Sequence, residues 1–130
     1  MNDFSNPDEL LLRAIRPPSI RPRFWNPDGS LKAAAFIKKN GCSVDRCGDR
    51  EIDESVKDMQ KRLTGQIVGV TVGICKEKDV LIASCPSKDN PYHCELRGSP
   101  DKCVLEYEQA DWLAEHAVPV DGSSTIMMWS

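Results

Sequence analysis

The segment with the most chemical character is Pro86-Ser87-Lys88-Asp89-Asn90-Pro91-Tyr92-His93-Cys94-Glu95. Pro91 restrains Asn90 to an extended conformation, which places His93 at a fixed point just past an apolar run. A histidine there can exchange a proton near neutral pH. Glu95 lies two residues on, and in a strand it shares a face with His93, where a carboxylate can orient an imidazole. The competing reading makes Asp89-Asn90-Pro91 an ordinary turn and His93 a hydrogen-bonded strand residue. His116 falls near the end of an expected helix, where a cation stabilises the negative pole of the helix dipole.

A second group is Ser43-Val44-Asp45-Arg46. In an extended segment Asp45 and Arg46 point to opposite faces and do not pair with each other. Arg46 is then a guanidinium clamp for phosphate or carboxylate, a role that its forked donors suit. Alternatively a buried acid–base pair fixes the loop, with Asp45 taking Arg16 or another nearby arginine. Arg16, Arg21 and Arg23 crowd into one proline-rich stretch with Phe24 and Trp25. Residues 1–40 carry seven bases against four acids, whereas residues 81–130 carry three bases against eight acids, within a net charge of -3. The basic end fits an anionic ligand or protein partner, and it equally fits attraction between the two ends. A sequence pI near 5.4 disfavours a dedicated nucleic-acid-binding domain, although the basic end alone is compatible with one.

Six cysteines stand at 42, 47, 75, 85, 94 and 103, none in a C-x-x-C pair. Structural zinc prefers tight pairs, so these read as thiols behaving as small buried hydrophobes. Glycines 65, 69 and 73 are followed by no Lys-Ser/Thr, so no phosphate loop forms. Gly-x-Ser-x-Gly and His-Glu-x-x-His are also absent. No cofactor is expected.

The elements that must position these residues read as follows. Asn6 caps a short first helix running through Leu10–Ile15, ended by Pro17-Pro18. Ser30 starts a second helix over 31–39. Residues 42–46 are a short strand, and Asp49 caps a helix over 50–63 with an apolar stripe of Ile52, Val56, Met59 and Leu63. Residues 66–75 are β-branched and form a strand, which turns at 76–79 into a second strand over 80–85 as an antiparallel hairpin. Residues 92–97 make a third strand and 107–117 a last helix, with 99–106 open to either reading. The expected fold is a single α+β domain spanning 1–130, a small and mostly antiparallel sheet packed against two to four helices, with mobile ends at 1–9 and 119–130. The start of the sequence shows no basic and apolar leader and no segment of ~20 apolar residues occurs, so a cytoplasmic protein without a membrane span is expected.

The order Leu11-Leu12-Arg13-Ala14-Ile15, Asp28-Gly29, Ala35-Phe36, Ser43-Val44-Asp45-Arg46 and Asn90-Pro91-Tyr92-His93 is similar to a group of small bacterial proteins of uncharacterised activity. The likeness is spread over residues 10–97, singles out the same residues and implies one cytoplasmic domain, but no reaction. The leading functional expectation is a non-enzymatic binding or partner module. The alternative is a small enzyme acting on a nucleotide or RNA phosphate. There His93 and Glu95 would carry the acid–base chemistry, and Arg16, Arg21, Arg23, Arg46 and Asn90 would hold the anion.

Overall fold

The computed structural model describes residues 4–120. Six strands form one antiparallel sheet: β1 (Leu10–Ile15), β2 (Cys42–Arg46), β3 (Gln66–Thr71), β4 (Leu81–Ser84), β5 (His93–Arg97) and β6 (Val118–Pro119). Their order across the sheet is β4-β5-β2-β1-β3-β6. Three helices accompany them, α1 (Ile52–Arg62), α2 (Val72–Glu77) and α3 (Tyr107–His116), with short 3-10 turns at Pro22–Phe24 and Ala33–Ala35. The α+β class is as expected. No helix of the described residues is long and apolar enough to cross a membrane.

Residues 10–15 are not a helix but an interior strand, paired with β3 along its whole length and with β2 at Leu11 and Leu12. The physical reason is burial on both faces. Leu11 and Ile15 enter one core with Phe36, Val44 and Leu113, while Leu10 and Leu12 enter another with Val56, Met59 and Ile67. An unbroken apolar run is what a strand covered on both sides requires. Asn6 caps no helix; its side chain accepts from the Asp8 N–H at 3.0 Å, a local turn.

The expected hairpin of 66–75 with 80–85 does not form. The run breaks at Thr71, whose hydroxyl accepts from the Ile74 N–H at 3.2 Å and starts α2. The N–H groups of Val72 and Gly73 donate to Glu9 and Pro7 carbonyls, so the chain leaves the sheet at that point. As a result β4 pairs with β5, on the far side of the sheet from β3. Gly69 has a specific role: a Cβ there would lie 2.8 Å from the Leu10 side chain. The helix expected over 31–39 shrinks to the single turn Ala33–Ala35. That for 50–63 stands as α1, but its cap is Glu51 rather than Asp49 and makes no side-chain cap bond. In the expected stripe Val56 and Met59 are buried, whereas Leu63 is about half exposed.

One face of the sheet is covered by the two 3-10 turns, α2 and α3, and the other by α1. Alternation along the strands therefore sorts the polar residues by face. Asp45 stands opposite Leu12 on one side and His93 on the other, and Ser43 stands opposite Glu95. All five of these residues share the face on which α1 packs. The segment between β1 and β2 is well tied down. Phe24 and Trp25 are buried, and the Trp25 indole N–H donates to the Arg16 carbonyl at 2.8 Å.

Candidate anion-binding cleft

β1 and β2 pair only at their Leu11–Leu12 end and then diverge. Arg13 bridges the divergence, with its Nε donating to the Ala35 carbonyl at 3.0 Å and a terminal nitrogen to the Ser43 carbonyl at 2.8 Å. Beside it opens a cleft of about 290 Å³ lined by Arg13, Arg16, Arg21, Arg23 and Lys38, with Phe24 and the β1 backbone completing the wall. The folding of the proline-rich segment against the sheet is what gathers these charges. Phe24 is the buried anchor: the Arg23 guanidinium lies 5.3 Å and the Lys38 ammonium 4.8 Å from its ring centre. Such contacts to an aromatic face are favourable and hold both cations at the rim.

The cleft is electrostatically one-sided. Among the described residues no carboxylate lines it, and none of its five cations takes part in an ion pair. Lys38 feels this directly. Partial burial pulls its ammonium below the usual lysine range, and the charges of Arg13, Arg23 and Arg21 add to the effect. Arginine does not release its proton in a protein, so the arginine charges stay in place. Forked donors in several directions suit a tetrahedral oxyanion.

The other expected site residues lie elsewhere. Arg46 is buried and makes a two-pronged pair with Glu9, Nε to Oε2 at 2.8 Å and Nη2 to Oε1 at 2.7 Å, while lying over the Phe4 ring. Asp45 is buried too, and its partner is not an arginine of the basic segment but Arg62 on α1. Its other oxygen accepts from Asn90 Nδ2 at 2.9 Å, and Asn90 Oδ1 accepts from the Tyr92 N–H at 3.1 Å. Asn90 thus ties the loop before β5 to β2. His93 is half-buried and lines a second cleft of about 240 Å³ with Asp45, Met59 and Arg62, on the α1 side of the sheet, and Arg13 borders both clefts. Glu95 shares its face, but its carboxylate binds Arg97 at 2.8 and 3.1 Å. His116 bonds the Trp112 carbonyl through Nδ1 and lies against the Trp112 ring.

Arg16, Arg21 and Arg23 therefore converge, whereas Arg46, Asn90, His93 and Glu95 do not join them. Sequence reasoning missed Arg13 and Lys38 as cleft residues. Both belong to the same basic segment, but only the β1 strand and the Ala33–Ala35 turn bring them to it. Among the described residues no group of three or more His, Cys, Asp or Glu side chains is arranged to hold a metal ion. A larger cavity of about 670 Å³ beside β4 is walled mainly by Val80, Leu81, Ile82 and Pro100, with Lys76 tied to the Phe4 carbonyl. Compared with known proteins, the chain matches no family model, no curated protein and no solved structure.

Proposed function

We propose that this chain is a binding module for an anionic, phosphate-bearing ligand, seated in the cleft of Arg13, Arg16, Arg21, Arg23 and Lys38. One observation carries the reading: five cations line one small cleft and no carboxylate among the described residues neutralises them. An arrangement whose charges repel one another is costly unless an anion completes it. The alternative of a phosphate-directed enzyme draws less support. It needs His93 and Arg46 beside the arginine cluster, but His93 lines the cleft on the α1 side and Arg46 is engaged by Glu9. The thiols, none of which is in a disulfide, fit a reducing compartment, and we place the module in the cytoplasm.

Calorimetric titration with inorganic phosphate, pyrophosphate and acetate tests this reading. Pyrophosphate should bind more tightly than phosphate, and acetate should not bind. Affinity should fall as salt rises, because the cleft is open to solvent. Equal responses to all three anions, or no heat at millimolar pyrophosphate and low salt, would contradict it.

A further inference from the structure

The α1 face of the sheet carries a second cluster that the anion cleft does not use. The pairing of β4 with β5 ends at Ser84 opposite Cys94, and one step further the Cys85 N–H donates to the His93 carbonyl at 2.9 Å. Cys85 and His93 are thus directly opposite, and His93 is in turn opposite Asp45 on β2. Cys85 just past the end of β4, His93 on β5 and Asp45 on β2 form one row on one face. Directly opposite residues hold their Cβ atoms about 4.5–5.5 Å apart, within reach of a thiol and an imidazole. Arg97 comes back along β5 to the same place, its Nη2 lying 3.9 Å from Cys85 Sγ while it also binds Glu95.

The six thiols differ sharply in surroundings. Cys42, Cys47, Cys75 and Cys94 are buried in the cores, where desolvation pushes each above the ordinary thiol value, Cys75 to about 12 and Cys94 to about 11. Cys103 is exposed. Cys85 is half-buried, as are His93, Glu95 and Arg97 around it. A thiol that is reachable, close to a fixed cation and opposite an imidazole has the surroundings of a reactive cysteine.

We propose that Cys85 is a reactive thiol that a hydroperoxide oxidises to the sulfenic acid, with His93 as the proton acceptor and Arg97 facing the thiolate. His93 takes the S–H proton, and the thiolate sulfur attacks one peroxide oxygen. The S–O bond forms as the O–O bond breaks. The leaving hydroxide or alkoxide recovers the proton from the imidazolium and departs as water or alcohol. Cys85 loses two electrons and the peroxide gains them.

Cys103 supplies the internal comparison, since it is the more exposed thiol and also feels the charge of Arg97, whereas Cys85 is the thiol opposite His93. The full chain would be made as Cys103→Ser, which reports on Cys85, and as Cys85→Ser, which reports on Cys103. Both are treated with hydrogen peroxide in the presence of dimedone, and the adduct at each cysteine is followed by peptide mass spectrometry. Cys85 should be trapped about tenfold faster than Cys103. Adding His93→Gln to the Cys103→Ser chain should bring Cys85 down to the Cys103 rate, and Arg97→Gln should slow both thiols. Cys85 reacting no faster than Cys103 overturns the proposal, and that comparison stands whether or not the further variants fold. An unchanged Cys85 rate in a folded His93→Gln chain removes the imidazole from the step.

Discussion

Asp45 holds three elements together, and removing its carboxylate should show it. In Asp45→Ala the Asn90 Nδ2 loses the acceptor that it reaches at 2.9 Å in a buried position. A buried donor left without a partner costs about 1–3 kcal/mol. Arg62 loses its main partner as well, but its side chain is about 31% exposed and also reaches Asp58 at 3.2 Å. Water can take up that charge, so this part amounts to about 0–1 kcal/mol. The sum is about 1–4 kcal/mol, which for a chain of this size lowers Tm by roughly 4–16 °C. Asp45→Asn keeps an oxygen for Asn90 but turns an amide donor toward Arg62, whose partly exposed side chain can swing into water, so its loss should stay at about 1 kcal/mol. Urea denaturation followed by circular dichroism measures both. A loss under about 0.5 kcal/mol for Asp45→Ala would refute the view that this carboxylate ties β2 to α1 and to the loop before β5. Equal losses for the two variants would mean that charge, not the Asn90 bond, carries the effect.

Other expectations concern the packing of α1 and the buried thiols. Met59 is 2% exposed and is buried from α1 into the core of Leu12 and Val56, so Met59→Ala should cost about 2–5 kcal/mol in urea denaturation. Lys57 is on the exposed side of the same helix, and Lys57→Ala should change stability by no more than about 0.5 kcal/mol. Cys75 sets a pH dependence: its ordinary value is 9.0 and burial raises it to about 12 in the folded chain. Between these values the unfolded chain releases the proton first, so stability is intact below about pH 9 and falls as pH rises, by at most about 1.4 kcal/mol per pH unit. The urea midpoint at pH 10 should therefore lie below that at pH 8, and Cys75→Ala should narrow the difference without abolishing it, since burial raises Cys42, Cys47 and Cys94 as well; an unchanged difference in the variant would exclude Cys75 as a source.

Elements with a clean period were legible in the sequence. The α1 stripe repeats at helical spacing with Val56 and Met59 inside, and residues 107–116 end in a helix that buries Leu113. Residues 42–46 and 93–97 alternate as strands do, with Val44, Cys94 and Leu96 inside. The run Leu10–Ile15 was misread because burial on both faces erases the alternation that marks a strand. Cys75 continues the β-branched run of 66–71, yet Thr71 and the anchoring of Gly73 to Pro7 turn it into α2. Of the site, the crowding of Arg16, Arg21 and Arg23 was visible because all lie in one short segment. The pairs Arg46–Glu9 and Asp45–Arg62, and the row of Cys85, His93 and Asp45, come from strand register and helix docking. Local spacing carries no information about such partners.

Pyrophosphate titration of the Arg21→Gln/Arg23→Gln chain beside the wild type, with the ligand-free Tm of each, tests the anion cleft most directly. Arg23 and Lys38 share the Phe24 ring at 5.3 and 4.8 Å, so their charges are at most about 10 Å apart and repel by about 0.4 kcal/mol in a water-like surrounding. Relief of such repulsion offsets the lost Arg23 contact with the Phe24 ring, so the ligand-free Tm should stay nearly unchanged, while pyrophosphate affinity falls at least about tenfold as two charged donors are lost. Loss of ligand-free stability together with undiminished pyrophosphate affinity would show that the two arginines serve the fold and not an anion.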